Sequence, residues 1–412
     1  MDNITHSLVG ILTAESALEV LRIRQPNTVL TRKTRIAFWL SALLANNFCD
    51  LDFIPTLFLE PKRLQYLLHH RGHTHTLLLA PLQALIILLG FWGWGQWKKT
   101  PWEKHEKVGV SVLTLLGVVL HLFLDFLNQY GVHPFWPFYN GWFYADMMFI
   151  VEPWIWLTLL PLLWFSTRHR WVRASVGGLL ISACALLALS GFVPKTMAVL
   201  VTLWGAGLML VFAYVSHRFR LSIAYFMLGV VGLIFGLESY GLKKEILNRF
   251  KLEEPSVTVN DIILSPFPSN PICWQVVTVE TFSKREFFRL RKGVISLFSN
   301  WYSPSDCLSW ISSQTQVAPT HPQVIWTSQM KFSRKKLKKI YEENCLAAAQ
   351  LRFVRAPFWY EKDGKLFLAD LRFETGTRGN FSRLEIPSHP NPCPRWIPPW
   401  SEPRADLLKD EK

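Results

Sequence analysis

Stretches of apolar sequence, each roughly 20 residues long, recur along this chain between short basic loops. In the hydrocarbon of a bilayer a helix satisfies every backbone N–H and C=O internally, so segments of that length read as membrane-crossing helices. They lie near 37–58, 76–95, 108–127, 174–194, 196–216 and 221–240. A shorter one, 153–166, follows Glu152 and crosses only with help from its flanks. Residues 4–22 are mostly apolar but carry Glu15 and Glu19, and are expected to span, with a re-entrant path as the alternative. The expected fold is mainly α: a polytopic transmembrane helical bundle over 1–240, then a C-terminal α+β soluble domain over 241–412.

The connecting loops differ in charge. Residues 22–35, 98–107, 168–173 and 217–220 are rich in Lys and Arg, whereas 128–152 contains neither. The positive-inside rule therefore places the four basic loops in the cytoplasm and 128–152 outside, together with the C-terminal domain. Lys62, Arg63 and Arg71 break the pattern, and alternation still puts their segment outside. The formal net charge of +14 divides into +6 for 1–240 and +8 for 241–412. In a membrane protein such a balance favours anionic lipid headgroups, and no helix-turn-helix, zinc-finger or RRM pattern supports nucleic-acid binding. The N-terminus lacks the basic region and small-residue cleavage site of a signal peptide.

Beyond Tyr240 the pattern changes. Val257–Asn260, Gln275–Val279 and Lys365–Phe373 alternate as short strands, with Pro266, Pro268 and Pro271 marking a turn. Lys331–Asn344 is a strongly basic helix, packed on the sheet or resting on headgroups. Pro387–Pro403 is expected to be irregular. Cys273, Cys307, Cys345 and Cys393 permit two disulfides in three possible pairings, while Cys49 and Cys184 lie in membrane segments as inert thiols.

Against this apolar background, five polar clusters stand out in the first 150 residues: Asp2–His6, Asp50-Leu-Asp52, His69–His75, His121–Asp125 and Asp146. Acids and imidazoles are costly in or beside a bilayer and are also the usual N/O ligands of divalent metals. His121 and Asp125 are four apart and share a helix face, with Asn128 a turn later. Asp50 and Asp52 would point apart on a helix, so a shared site needs broken backbone, which Pro55 favours. In His70-Arg71-Gly72-His73-Thr74-His75 the imidazoles suit a metal, and Arg71 suits an anion held by paired hydrogen bonds. His69 reads as an interfacial residue rather than a ligand. Asp2 reads as a helix N-cap, followed by Thr5 and a surface or ligating His6. His133, Asp146 and Glu152 border a loop whose Trp136, Phe138, Trp142 and Phe143 suit an interfacial aromatic belt.

The run Asp2-Asn-Ile-Thr-His6-Ser-Leu-Val-Gly10, then Asp50-x-Asp52, then His70-Arg-Gly-His-Thr-His75-Thr, then His121-x3-Asp125-x2-Asn128-x2-Gly131 resembles the predicted bacterial inner-membrane metal-dependent hydrolases, the YdjM-like family. The resemblance covers about 1–240, and Ser265–Pro271 is similar to longer members. It implies a hydrolase with kinship to phospholipases, with matching positions His6, Asp50, Asp52, His70, Arg71, His75, His121 and Asp125. His73 falls at a variable position.

Together these readings lead to an expected membrane-bound metal-dependent hydrolase of a lipid-derived ester or phosphoester. One or two divalent ions, Zn²⁺ foremost, would activate water at the extracytoplasmic face. His75, His121, Asp125 and Asp52 are the expected ligands, with His6 and His70 as further metal candidates. Asp50 is the expected general base or bridge, Arg71 with Asn128 the substrate-binding pair, and Arg71 also the catalytic residue that holds the developing charge. Membrane lipids are the expected partners, and nucleic acid is not. A cation transporter or channel and a metal-stapled non-catalytic scaffold are the rivals. Transporters place ionisable groups near the bilayer midplane, whereas here they gather at one end.

Overall fold

In the computed structural model, residues 1–191, 193–282, 286–308, 323–374, 380–387 and 393–409 are described. Helices α1 (Asn3–Arg24) and α2 (Arg32–Phe48) are followed by a 3₁₀ turn at Cys49–Asp52 and the short α3 (Phe53–Thr56). Then come α4 (Lys62–His69), a 3₁₀ turn at His73–His75, α5 (Ala80–Trp97) and α6 (Lys104–Phe126). After the 127–152 loop follow α7 (Pro153–Ser166), α8 (Arg170–Leu189), α9 (Lys195–Tyr214) and α10 (His217–Glu253). By length and composition α1, α6, α8, α9 and α10 can each cross a bilayer, and Lys62–His75, α4 with the 3₁₀ turn after it, forms with α5 a pair bent by 78°.

Two expectations about the spans are corrected. The stretch 37–58 is not one helix: α2 stops at Phe48, and the chain turns through Cys49–Asp52 before α3. Asp50 and Asp52 favour turns over helix interiors, and Pro55 cannot donate to a continuing ladder. The composition change at Tyr240 also does not end the last helix. Leu242, Ile246 and Phe250 stay buried on one face of α10, packing with Ile262, Leu264 and Trp274 of the first sheet. Residues 4–22 do lie within one long helix, capped by Asp2, whose Oδ1 accepts from the N–H of Ile4 at 2.9 Å and Thr5 at 3.0 Å.

The basic loops meet at one end of the bundle. Lys33 Nζ donates to Pro101 O at 2.7 Å, His217 pairs with Glu15 at 3.1 Å, and Arg220 lies over Phe165. Helices α1 and α6 both press closely on α2: a Cβ added at Gly10 would sit 2.9 Å from Ala42 O, and one at Gly117 would sit 2.6 Å from the Ala45 Cβ.

At the other end sits the C-terminal domain. Strands β1 (Val257–Phe267), β2 (Asn270–Phe282), β3 (Phe287–Ser296) and β4 (Val324–Ser333) form an antiparallel sheet in sequence order, with α11 (Pro304–Leu308) between the last two. Helices α12 (Arg334–Glu343) and α13 (Cys345–Leu351) lead to a second sheet, β5 (Pro357–Lys362), β6 (Lys365–Asp370) and β7 (Leu384–Ile386), and then α14 (Ala405–Leu408). The basic helix begins at Arg334, so Lys331–Ser333 belong to β4. Its Leu337 and Ile340 are buried in the domain core. Disulfides join Cys273 to Cys307 and Cys345 to Cys393, and Cys49 and Cys184 are free thiols, the first buried and the second half-buried. Residues 393–403 form no helix or strand, and 388–392 of the Pro-rich segment lie outside the described residues.

The domain grips the bundle. Leu64, Leu67 and Leu68 of α4 and Tyr130 are buried in its core. Trp400 Nε1 donates to Leu68 O at 2.9 Å, and its ring packs 3.7 Å from that of His133. The aromatic-belt reading of the 128–152 loop is thereby revised: Trp142 donates to Arg352 O at 2.9 Å and Trp136 packs near Trp400, whereas Phe138 is exposed.

Candidate metal centre

Where the broken backbone after α2 meets the His-rich turn and the last turns of α6, Asp50, His75, His121 and Asp125 converge. Their nearest ligating atoms all lie within 4.8 Å of one another. His75 Nε2 and His121 Nε2 are 3.0 Å apart. Asp125 Oδ2 lies 3.2 Å from the first and 3.4 Å from the second, and Asp50 Oδ1 lies 3.5 Å from both.

The outward nitrogen of each imidazole is fixed from behind. His121 Nδ1 is 2.7 Å from Asn46 O, a carbonyl that can only accept, so Nδ1 carries the proton. His75 Nδ1 faces Asp52 Oδ2 at 3.2 Å. In the neutral rings both Nε2 atoms are then lone-pair donors, directed at each other and at two carboxylates. Such a set is repulsive by itself and suits a cation. Four N/O atoms around a tetrahedral ion at roughly 2.0–2.2 Å stand roughly 3.3–3.6 Å apart, close to most of the separations found here. The donor set therefore fits a divalent metal.

Asp50, and not the expected Asp52, is the carboxylate that reaches the quartet. Asp52 touches His75 from the far side, accepts from Thr74 Oγ1 at 2.7 Å and lies 3.1 Å from His70 Nδ1. It orients imidazoles, the usual carboxylate–histidine arrangement behind a metal. Asp50 is the carboxylate that joins the quartet, and its side chain is 16% exposed whereas those of the other three are at most 1% exposed. Because the 3₁₀ turn is tighter than an α-helix, it sends the two acids to opposite nitrogens of the one His75 ring.

Other expected residues sit around the quartet rather than in it. His70 stacks on Tyr66 at 4.8 Å and reaches Asp52, not the quartet. His6 is fully buried, stacks on His121 at 3.9 Å, and approaches the outer oxygen of Asp125 at 3.3 Å. It is not the surface residue of the N-cap alternative. His69 lies 3.3 Å from Trp396 O, and His73 packs against Trp136 and Trp400.

The expectation that Arg71 and Asn128 hold a substrate anion is corrected. Arg71 Nη2 donates to Asp125 Oδ1 at 2.7 Å, and Nη1 donates to Asp125 O and to Asn128 Oδ1 at 3.0 Å. Its guanidinium lies over the Tyr130 ring at 4.7 Å and is almost fully buried. Both Nη groups are committed within the protein, so Arg71 anchors Asp125. Its backbone φ of 60° is unusual for a residue with a Cβ and is held by these contacts. The Met1 amino group also contacts Asp125 Oδ1.

Asp146 belongs to a different cluster. Its carboxylate takes paired hydrogen bonds from Arg355 at 2.8 and 2.9 Å and a third from Lys243 at 2.9 Å. Arg355 also binds Asp261 of β1 at 2.7 Å, tying the loop, α10 and the C-terminal domain together. Burial works to raise the Asp261 carboxyl, but the Arg355 guanidinium beside it prevails and holds it at about 2. Glu152 caps α7 through Trp154 N at 3.4 Å and is not a ligand of the quartet. Sequence reasoning missed Asn46, whose carbonyl sets the His121 tautomer. The Asn46-Asn47 pair inside an apolar stretch was the available signal.

Residues 1–197 match the model of the YdjM inner membrane protein family. This part of the chain is similar to that family. All four quartet residues fall within the matched region. The uncharacterized protein YfhP of Bacillus subtilis (strain 168) is 24% identical over 168 residues, covering 40% of this chain. The alignment covers 47% of YfhP, so the chain spans about half the length of this curated relative. No solved structure matches. The family and the apolar helices make this a multi-pass inner-membrane protein with a cluster able to hold a metal ion.

Proposed function

We propose that the protein is a membrane-bound metal-dependent hydrolase acting on a lipid-derived ester or phosphoester, with its site and C-terminal domain on the extracytoplasmic face. The observation that supports this most is the buried quartet with a single partly exposed member, Asp50. His75, His121 and Asp125 would hold the ion, Zn²⁺ by preference for this N/O donor set. A bound Zn²⁺ supplies a water ionised near neutral pH and polarises the bond under attack.

The chain's own groups do the rest. Asp52 and Asn46 O keep both Nε2 atoms turned inward. Arg71 fixes Asp125 and offsets its charge. Asp50, at the open side, takes the proton of the attacking water as general base, or ligates. Leu51, Phe53, Ile54, Leu57 and Phe58 are exposed apolar residues beside it, suited to a lipid arriving from the membrane.

The scaffold reading keeps one specific support, since four protein ligands can close a tetrahedral shell and leave no position for water. Assaying the purified full-length protein on a panel of lipid esters and phosphoesters separates the two. Hydrolysis that is lost in Asp50→Asn while the metal is retained supports the enzyme. A fully metallated protein that cleaves nothing in the panel refutes it.

A further inference from the structure

A groove of about 910 Å³ opens between α1, α6 and the start of α10, with Phe38 of α2 in its lining. It lies at the basic-loop end, opposite the quartet, and has no part in the chemistry proposed above. Its volume falls in the range of small-molecule sites, roughly 300–1,000 Å³. The walls are apolar: Ala17, Val20 and Leu21 on α1 face Val108, Val112 and Leu116 on α6. The mouth is basic, with Arg24 and Lys104. Both are exposed, and neither makes an ion pair among the described residues. The acid at the mouth, Glu103, is occupied by the cap of α6 and by His105 at 3.2 Å. At the deep end Ser16 Oγ and Tyr225 OH are 3.0 Å apart and close the groove between α1 and α10.

Its length is informative. The lining runs from Thr13 to Arg24 on α1 and from Lys104 to Leu116 on α6. At ~1.5 Å per helical residue this is roughly 17 Å. One leaflet of hydrocarbon, half of a core about 30 Å thick, is of similar depth. An apolar channel one leaflet deep, ending in two unpaired cations, matches the shape and charge of a phospholipid whose headgroup is anionic.

We propose that this groove holds one anionic phospholipid of the adjoining leaflet. An acyl chain lies between α1 and α6, and the phosphate sits between Arg24 and Lys104. The lipid fills the space left open between α1 and α6, over Phe38 of α2.

The test uses the full-length protein in bilayers of phosphatidylglycerol and phosphatidylcholine, with retained lipid counted by native mass spectrometry after extraction. Phosphatidylglycerol is expected to be retained in preference. Doubly substituted Arg24→Gln/Lys104→Gln should lower its retention about 30-fold, at roughly fivefold per surface cation, and leave phosphatidylcholine unchanged. Val112→Trp, which fills the groove, should lower both. A retained size-exclusion profile and thermal transition report that each variant is folded. Equal retention of the two lipids, or phosphatidylglycerol retention that neither variant alters, overturns the proposal. So does efficient disulfide cross-linking of two chains through Val112→Cys in the bilayer, which would put a second copy over the groove.

Discussion

Asp125 and Asp146 are both buried acids at the polar end of one bundle, and they end in opposite chemical situations. Around Asp146 the chain supplies its own cations: Asp146 and Asp261 share Arg355, Lys243 and Arg404. That cluster is complete and fastens the C-terminal domain to the membrane bundle. Around Asp125 three carboxylates, including Asp50 and Asp52, meet one guanidinium and the Met1 amino group, and two imidazole lone pairs are turned toward them. A buried acid is thus no sign of a metal by itself. The deciding feature is whether protein donors satisfy it, since an uncompensated buried charge is costly.

Substitutions can break this contrast. The largest effect is expected in the quartet: His75→Ala or Asp125→Ala should abolish bound transition metal in elemental analysis and lower the Tm. Asp146→Asn should leave metal content intact. Next, Arg355→Met leaves Asp146 and Asp261 without their shared cation. Removing one partner of a buried ion pair costs about 3–5 kcal/mol, so proteolysis should release the C-terminal domain while metal stays bound. Asp52→Asn should weaken metal affinity roughly 10–100-fold without eliminating it, the usual cost of losing a group that orients a ligand. Competition with a graded chelator measures this.

The smallest effect is one of pH. Burial, followed by the nearby His75 and His73, pulls His133 down to about 3. The unfolded chain takes up that proton near 6.5, so between about 6.5 and 3 the unfolded state binds more protons and stability falls as the pH is lowered. The loss should approach roughly 1 kcal/mol by about pH 5.5, seen as a lower Tm that His133→Phe makes less pH-dependent.

The sequence carried much of this arrangement. The i,i+4 spacing put His121 and Asp125 on one face, and the apolar runs located most of the helices. The alternating stretches at Val257, Gln275 and Lys365 became β1, β2 and β6. What it could not carry was direction at a break. Asp50 rather than Asp52 reached the quartet because a 3₁₀ turn rather than a helix presents them, and periodicity holds no information on that choice. Arg71 looked free for a substrate because its partners, Asp125 and Asn128, are remote in sequence. The fate of Asp146 depended on Arg355, contributed by a domain that follows all the spans. Polar residue types announced a site, while their division into ligands, supports and tethers awaited the tertiary fold.

The most direct test is X-ray absorption at the metal edge of the purified full-length protein, in parallel with His121→Ala and Asp146→Asn. The expected result is an ion surrounded by two imidazoles and carboxylate oxygens at roughly 2.0–2.2 Å, with a spectrum lost in His121→Ala and unchanged in Asp146→Asn. Folded wild-type protein that takes up no metal, or a spectrum indifferent to His121, would contradict it.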